Sequence, residues 1–327
     1  MMLRIYCLLF LLFTALCTGA VGKNHRHPKP GSISFPGAHY TDPEPSGEFT
    51  TLVIPIKRVS NLIILEAKVD TMEGNFVLDT GAPYLVLNQT YFRDAPHYND
   101  QDAGGINGNA GAAFRTIVRN LDIAELHYDR LQADVTDLSA IENSRNIKVL
   151  GLLGTKLFSK FAITVDLFQN QLYIHKLDKN GEIPAEEELY HEPILKMPFY
   201  YANNAILFKA WVNDIPLWFA FDTGAETNLV DYHQAKKLMP TLQIINRSKL
   251  TGIGGSTFEV IYAKFDKLLV GERVFTNNKV IITSLEQMGK AYGRDIDGML
   301  GADFFGRAVF TINFVKKEFV MYTNKNE

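Results

Sequence analysis

The chain is nearly without cysteine. It has two in 327 residues, Cys7 and Cys17, and both lie in its first seventeen positions. From Thr18 onward a disulfide framework is excluded, and no His/Cys cluster has zinc-ligand spacing. Charge of one sign is also missing: the net charge is −3, spread along the chain, with no basic stripe of the kind that binds nucleic acid. Walker-type and dinucleotide glycine fingerprints are absent, as is a Gly-x-Ser-x-Gly elbow, which leaves nucleotide chemistry and serine hydrolysis unsupported. After the N-terminus no apolar run is long enough to span a membrane.

The N-terminus has the pattern of a secretory signal. Arg4 precedes the apolar run Ile5–Cys17, and Ala20-Val21-Gly22 supplies small residues at a cleavage point, so residues 1–22 are read as a signal peptide. The expectation is export, to the periplasm or the medium of a bacterium. A cysteine-free mature chain fits that setting better than eukaryotic secretion. Leu16 is not the small residue that lipoprotein processing follows, so simple cleavage is favoured over lipid anchoring at Cys17. Lys23–Gly37 is polar, basic and contains proline and glycine, and residues 23–48 read as a flexible lead-in.

What the chain does have is Asp-Thr-Gly twice. FVLDTGA contains Asp79, Thr80 and Gly81, and FAFDTGA contains Asp222, Thr223 and Gly224. The two copies stand in register within a longer repeat. The sequence aligns without a gap from Pro55 to Asp79 and from Pro198 to Asp222, with Asn61 on Asn204, Ala67 on Ala210 and Phe76 on Phe219. It aligns again where Gly151, Gly154 and Thr164 meet Gly298, Gly301 and Thr311. The aspartates are 143 positions apart and these later residues 147, so the second copy carries four extra residues in its middle.

Segments such as LIILEAKV, NFVLD, FAITVDL and QLYIHK are short, rich in β-branched and aromatic residues, and separated by Gly and Asn turns. Long helical periods are scarce; YHQAKKLM is a short helix candidate. The pattern predicts an all-β protein of two homologous β-barrel-like lobes related by pseudo-two-fold symmetry. The lobes are placed at residues 49–177 and 193–324, joined by a linker at 178–192 that carries the charge run Glu186–Glu188. Two carboxylates brought together by such symmetry share a proton, so one serves as base while the other serves as acid.

The Asp-Thr-Gly-Ala turns resemble the active-site turns of retropepsin-like and pepsin-like aspartic proteases. So do the later apolar-apolar-Gly runs Leu152-Leu153-Gly154 and Met299-Leu300-Gly301. The tandem arrangement is similar to pepsin, and each copy is closer to the single-lobe retropepsin-like type. The resemblance implies the aspartic protease fold and an endopeptidase that needs no cofactor or metal. It implies Asp79 and Asp222 as a catalytic dyad bracketing one water, with Thr80 and Thr223 hydrogen-bonded across the dyad axis. Gly81 and Gly224 would let the backbone approach the carboxylates, and the apolar-Gly runs would support the loops from behind. The implied partner is an extended polypeptide, and the implied state is a monomer that contains an internal pseudo-dimer. The alternatives are an exported peptide-binding module that kept the fold without catalysis, and lobes that pair between molecules.

A glycine-rich flap is expected in each half, at Gly104, Gly105, Gly108 and Gly111 and at Gly252, Gly254 and Gly255. Neither segment has the tyrosine of a pepsin flap. Ala82 and Ala225 stand where pepsin-type enzymes have Ser or Thr, which removes a hydrogen bond to each carboxylate and should raise the pKa of the pair. Asp295-Ile296-Asp297-Gly298 lacks the downstream Glu of a calcium loop and reads as a turn. Tyr200, Tyr201, Trp211 and Trp218 fall as strand residues and suggest core or interface packing.

Overall fold

The computed structural model describes residues 42–97, 114–202, 204–251 and 257–323. The first half runs β1 (Pro45–Ser46), β2 (Thr51–Val59), β3 (Leu62–Val69), β4 (Met72–Leu78), β5 (Leu85–Asn88), α1 (Gln89–Phe92), β6 (Phe114–Ile123), β7 (Leu126–Thr136), α2 (Ser139–Arg145), β8 (Gly151–Leu153), β9 (Phe161–Asp166) and β10 (Gln171–Lys176). The second opens with β11 (Pro193–Pro198), β12 (Tyr200–Ala202), β13 (Ala205–Val212), β14 (Ile215–Phe221), β15 (Leu229–Asp231) and α3 (Tyr232–Leu238). It continues through β16 (Gln243–Thr251), β17 (Thr257–Phe265), β18 (Leu268–Val270), β19 (Arg273–Phe275), β20 (Asn278–Thr283) and α4 (Glu286–Ala291). It ends with β21 (Gly298–Leu300), α5 (Ala302–Phe305), β22 (Val309–Asn313) and β23 (Glu318–Tyr322). The protein is all-β apart from short helices, as the sequence pattern predicts.

Closure of each half follows from its strand registers. In the first, β3, β4, β8, β5, β7 and β6 pair in that order and β6 returns to β3, which closes a six-stranded barrel and leaves no free edge. In the second, β13, β14, β21, β15, β20 and β17 follow the same circuit, and β18, the continuation of β17, returns to β13. Val69 pairs with Leu121 and Val212 with Leu268. The turns between β3 and β4 and between β13 and β14 are also alike. Asp70 and Asn213, both at positive φ, accept backbone N–H groups from the returning strand: Asp70 from Arg119 and Asn120, Asn213 from Lys267.

The four extra residues of the second half fall between α3 and β17. Asn88 and Asp231 cap equivalent helices, and the offset has changed by the pairs Phe114–Val135 and Ile261–Ile282. The helix α3 has seven residues where α1 has four. Asn88 and Asp231 each accept the N–H two residues on and also a distant one, from Leu138 and Leu285 respectively. One polar side chain thus starts a helix and ties down a loop.

A six-stranded sheet in the order β2-β10-β9-β22-β23-β11 joins the halves. Its centre is the antiparallel pair β9–β22, in which Thr164 opposes Thr311 and their hydroxyls are 2.8 Å apart. Val165 opposes Phe310 and Ile163 opposes Ile312, so the approximate two-fold axis passes through the threonine pair. His175, 2% exposed, bonds Thr164 Oγ1 at 3.1 Å and Thr51 Oγ1 at 2.9 Å; burial pushes it down to about 4, so it is neutral at pH 7. Part of the lead-in, Asp42–Ser46, lies on the first half through β1–β7 pairing and the ion pairs Asp42–Lys156 and Glu44–Lys160. The connection between the halves starts in a turn closed by Asp178, which accepts from Asn180 and Glu182 N–H groups. It is fastened again where Tyr190 OH donates to Asp166.

The halves meet a second time through a buried ion pair. Arg145, the last residue of α2, reaches Glu226 of the second half at 2.6 Å, with the two side chains 4% and 3% exposed. Asn61 Nδ2 also donates to the Glu226 carbonyl at 2.9 Å. Two desolvated charges are tolerable together and costly apart. Arg145→Met should therefore lower unfolding stability by about 3–5 kcal/mol, and Arg145→Met/Glu226→Leu should restore most of it. Urea unfolding of the three proteins checks this; equal midpoints for Arg145→Met and the parent would show that the pair is not a structural clamp.

Candidate active site

Each Asp-Thr-Gly loop begins where a strand ends in three buried residues. Phe76, Val77 and Leu78 of β4 are at most 1% exposed and lead into Asp79; Phe219, Ala220 and Phe221 of β14 do the same for Asp222. The loops are held from behind by the apolar-Gly strands, as the resemblance implies. β4 pairs in parallel with β8, and Asp79 N–H donates to the Leu153 carbonyl at 3.0 Å. β14 pairs in parallel with β21, and Asp222 N–H donates to the Leu300 carbonyl at 3.0 Å. Further along, the N–H groups of Thr155 and Ala302 donate to the carbonyls of Ala82 and Ala225 at 3.0 and 2.9 Å.

The two loops lock onto each other reciprocally. Thr80 N–H donates to Thr223 Oγ1 and Thr223 N–H to Thr80 Oγ1, both at 3.0 Å. Each hydroxyl then donates across the interface to the carbonyl before the other aspartate, Thr80 to Phe221 at 3.1 Å and Thr223 to Leu78 at 2.7 Å. Both threonines are at most 2% exposed. These four hydrogen bonds run directly from loop to loop, so the two hydroxyls fix the relative position of the loops.

Asp79 and Asp222 are therefore brought side by side, 8% and 2% exposed, and their carboxyls hydrogen-bond each other. Gly81 and Gly224 each donate N–H to the Oδ1 of the aspartate two residues before, at 2.8 Å. A Cβ on Gly81 would lie 2.6 Å from Asp222 Oδ2, and one on Gly224 would lie 2.7 Å from Asp79 Oδ1. Each glycine thus presses on the opposite carboxylate, and any larger residue would force the pair apart. Burial raises the pKa of both aspartates. For Asp222 the charge of Asp79 raises it further, while the Gly N–H bonds pull in the other direction. The pair is a buried acid–base couple that holds one proton more readily than two ordinary carboxylates do.

Three features lay outside the sequence reading. Tyr292 is 4% exposed and packs in the cluster that contains Ala225; burial lifts its phenol well above the ordinary value, and the charges of Asp222 and Asp79 add to the lift. Its equivalent in the first half is Arg145, so one position carries a neutral phenol on one side and a paired cation on the other. Glu226 is the second feature. It sits four residues after Asp222 where the first copy has Pro83, and that mismatch is the only sequence signal for it. The third is Asn204, which accepts from Thr155 Oγ1 at 3.0 Å and hydrogen-bonds Tyr84, while its equivalent Asn61 holds Glu226. The flap candidates Gly104, Gly105, Gly108, Gly111, Gly252, Gly254 and Gly255 lie outside the described residues. The strands β16 and β17 on either side of the second set pair as a hairpin, with Thr251 opposite Thr257. Asp297 accepts from Trp218 N–H at 2.8 Å, which makes the acidic stretch before Gly298 a turn feeding β21. Among the described residues no cluster of His, Cys, Asp or Glu is arranged to hold a metal.

Comparison with known proteins agrees with the second loop. Residues 208–304 match the model of a family described as aspartyl protease, a span that holds Asp222–Gly224 and Met299–Gly301. A search of curated protein sequences finds no relative. Among solved structures, an aspartic proteinase from Irpex lacteus superposes with a TM-score of 0.49 at 11% identity, over 84% of this chain and 98% of the other. Basic 7S globulin from soybean superposes with a TM-score of 0.48 at 10% identity, over 85% and 96%.

The raised pKa values make stability depend on pH in a definite direction. A carboxyl whose folded pKa lies above its ordinary value of 3.8 favours folding below that value. That contribution is lost as pH rises through the folded pKa, by about 1.4 kcal/mol for each pH unit separating the two values. Asp222→Asn cannot ionise and escapes the loss. It should melt above the parent at pH 7, with the gap narrowing toward pH 3. Melting curves across that range check the sign; a variant less stable than the parent at pH 7 would contradict the burial argument.

Proposed function

We propose that the protein is an exported aspartic endopeptidase that hydrolyses peptide bonds with a water activated by Asp79 and Asp222. The observation that carries this reading is the dyad: two buried, mutually hydrogen-bonded carboxyls with raised pKa, delivered by equivalent loops of one chain. A binding module has no use for such a pair, because burying two like acids opposes folding at neutral pH. The aspartyl protease match over residues 208–304 supports the same chemistry.

The reaction needs one proton moved in each direction. The ionised carboxyl takes a proton from the water as its oxygen attacks the scissile carbonyl carbon; the neutral carboxyl gives its proton to the carbonyl oxygen. Collapse of the tetrahedral species breaks the C–N bond: the amine leaves with the proton that the first carboxyl took up, and the second carboxyl takes a proton back from a hydroxyl of the tetrahedral carbon as the carbonyl re-forms. The dyad returns to one proton. Thr80 and Thr223 keep the carboxyls at a fixed separation through the cycle, and Gly81 and Gly224 leave no space for either to swing away. With Ala82 and Ala225 adding no hydroxyl, the pair keeps its proton toward neutral pH, so a working range less acidic than that of pepsin follows.

Both carboxyls come from one chain, so the unit of activity is a monomer whose lobes span 49–177 and 193–324. The Gly-rich segments between the strands of each half are assigned as flaps over an extended polypeptide. Export rests on the apolar run Ile5–Cys17. Among the described residues no helix is long and apolar enough to cross a membrane.

Asp79→Asn and Asp222→Asn keep side-chain shape and remove both proton functions. Each should reduce turnover of a cleavable peptide by at least about a thousandfold, and the double variant should cost little more because the two residues act as a unit. Pepstatin-like compounds, whose hydroxyl takes the place of the water, should compete with substrate. Peptide-library cleavage by the parent and both variants, with folding followed by circular dichroism, makes the comparison. Folded Asn variants that cleave at the parental rate would remove the dyad from catalysis. A parent that binds peptides and never cleaves them would make the chain a binding module.

A further inference from the structure

The two halves share their strand registers, so each outward-facing position in one has a counterpart in the other that shows what that face ordinarily carries. On the outer face of β2–β4 the residues are Lys57, Glu66, Lys68, Glu73 and Asn75. Glu66 opposes Asn75, Lys68 opposes Glu73, and Lys57 and Glu66 form an ion pair at 2.6 Å. This is an ordinary solvated sheet face. The same positions on β12–β14 hold Tyr200, Lys209, Trp211, Pro216 and Trp218, with Lys209 opposite Trp218 and Trp211 opposite Pro216. Both tryptophans of the chain are on this one face. Tyr200 is 60% exposed and meets Trp218 edge-on at 5.1 Å; both tryptophans are half-buried. Arg294 lies over the Trp218 ring at 4.6 Å and Lys209 over Trp211 at 5.7 Å. Among the described residues neither cation has a carboxylate partner.

We propose that this face of the second half docks on a membrane surface that carries anionic lipid. Tryptophan and tyrosine are amphipathic and settle at the level of lipid headgroups, where their rings leave water and their polar edges keep it. Lysine and arginine next to them lay their stems along the rings and offer their charges to phosphate. Two other occupants fit less well. A second copy of this chain would bring Lys209 and Arg294 against themselves about a two-fold axis. A sugar stacks on open, coplanar ring faces, whereas here each indole has a face under a cation and Tyr200 stands at 76° to Trp218. The net charge of −3 sets the chain as a whole against an anionic surface, so attachment of the part from Asp42 onward depends on this face and takes one orientation. The assignment is independent of whether the dyad cleaves peptides.

The two tryptophans make the face its own probe, because all indole emission of the protein comes from it. The described fold starts at Asp42, so the protein is prepared from Asp42 onward, which keeps both the apolar N-terminal run and the cations Lys23, Arg26 and Lys29 away from lipid. It is mixed with phosphatidylcholine vesicles containing about one third phosphatidylglycerol, or none, and followed by sedimentation and tryptophan emission. The anionic vesicles should pull the protein down and shift its emission to the blue; neutral vesicles should do so weakly, and high salt should reverse binding. Lys209→Gln and Arg294→Gln should each weaken binding about fivefold. Trp211→Lys/Trp218→Asn installs the first half's residues at the same registers and should abolish it. No sedimentation or blue shift with anionic vesicles overturns the proposal, as does parental binding by the Gln or the double tryptophan variant. A blue shift given by a soluble acidic polysaccharide and not by vesicles overturns it too.

Discussion

Two threonine hydroxyls hold the centre of this molecule together. Thr80 and Thr223 each accept the other's backbone N–H and donate to a carbonyl of the opposite strand. Everything nearby depends on that closed set of bonds. Two carboxyls repel when ionised and lose solvation when buried, so Asp79 and Asp222 would move apart if their loops were free. The loops are not free: the threonines join them in front, and Leu153 and Leu300 hold them from behind. Stability that comes from the barrels is used here to keep an unfavourable pair in place, which is the usual arrangement of a reactive site in a rigid frame.

The approximate two-fold symmetry is strict where backbone bonds are made and loose where side chains meet solvent or flank the dyad. Thr164 and Thr311 lie on the axis, Asp70 and Asn213 close the same turn, and Asn88 and Asp231 cap the same helix and tie the same loop. A change at Asn88 or Asp231 would leave the buried N–H of Leu138 or Leu285 without an acceptor, at about 1–3 kcal/mol each. Around the dyad the equivalence breaks. Arg145 faces Glu226 on one side, while Tyr292 and Pro83 occupy the corresponding positions on the other. One half-to-half contact near the dyad is therefore a buried ion pair and its counterpart is uncharged, an asymmetry that a symmetric homodimer of either half would lack.

The same freedom acts on the outer faces. Side chains on the outer faces of β2–β4 and β12–β14 lie outside the barrel interiors, although Trp218 also packs against the edge of the cluster under α4. There, Lys57, Glu66, Lys68 and Glu73 on one half and Tyr200, Trp211, Pro216 and Trp218 on the other are compatible with a single backbone. Such divergence at constant register separates what the fold requires from what a surface has been given.

Much of the architecture is legible in the residues. The alternation in LIILEAKV places Glu66 and Lys68 outward, and the two Asp-Thr-Gly turns, the apolar-Gly runs and the repeat register identify the dyad and the strands that support it. Local chemistry decides these features: a buried strand, a turn that only glycine permits, a helix cap. The burial of the first part of that strand on both faces, Leu62 to Leu65, depends on α2 lying outside it, and no local pattern states that. The Arg145–Glu226 pair joins residues 81 positions apart, His175 loses its proton affinity to burial beside Thr51 and Thr164, and Tyr292 enters the field of the dyad from the end of a helix. These were decided only by the tertiary structure, because each depends on a distance or a dielectric set by distant parts of the chain. The sequence by itself determined which two carboxyls would meet; the folded surroundings determined how strongly each holds its proton.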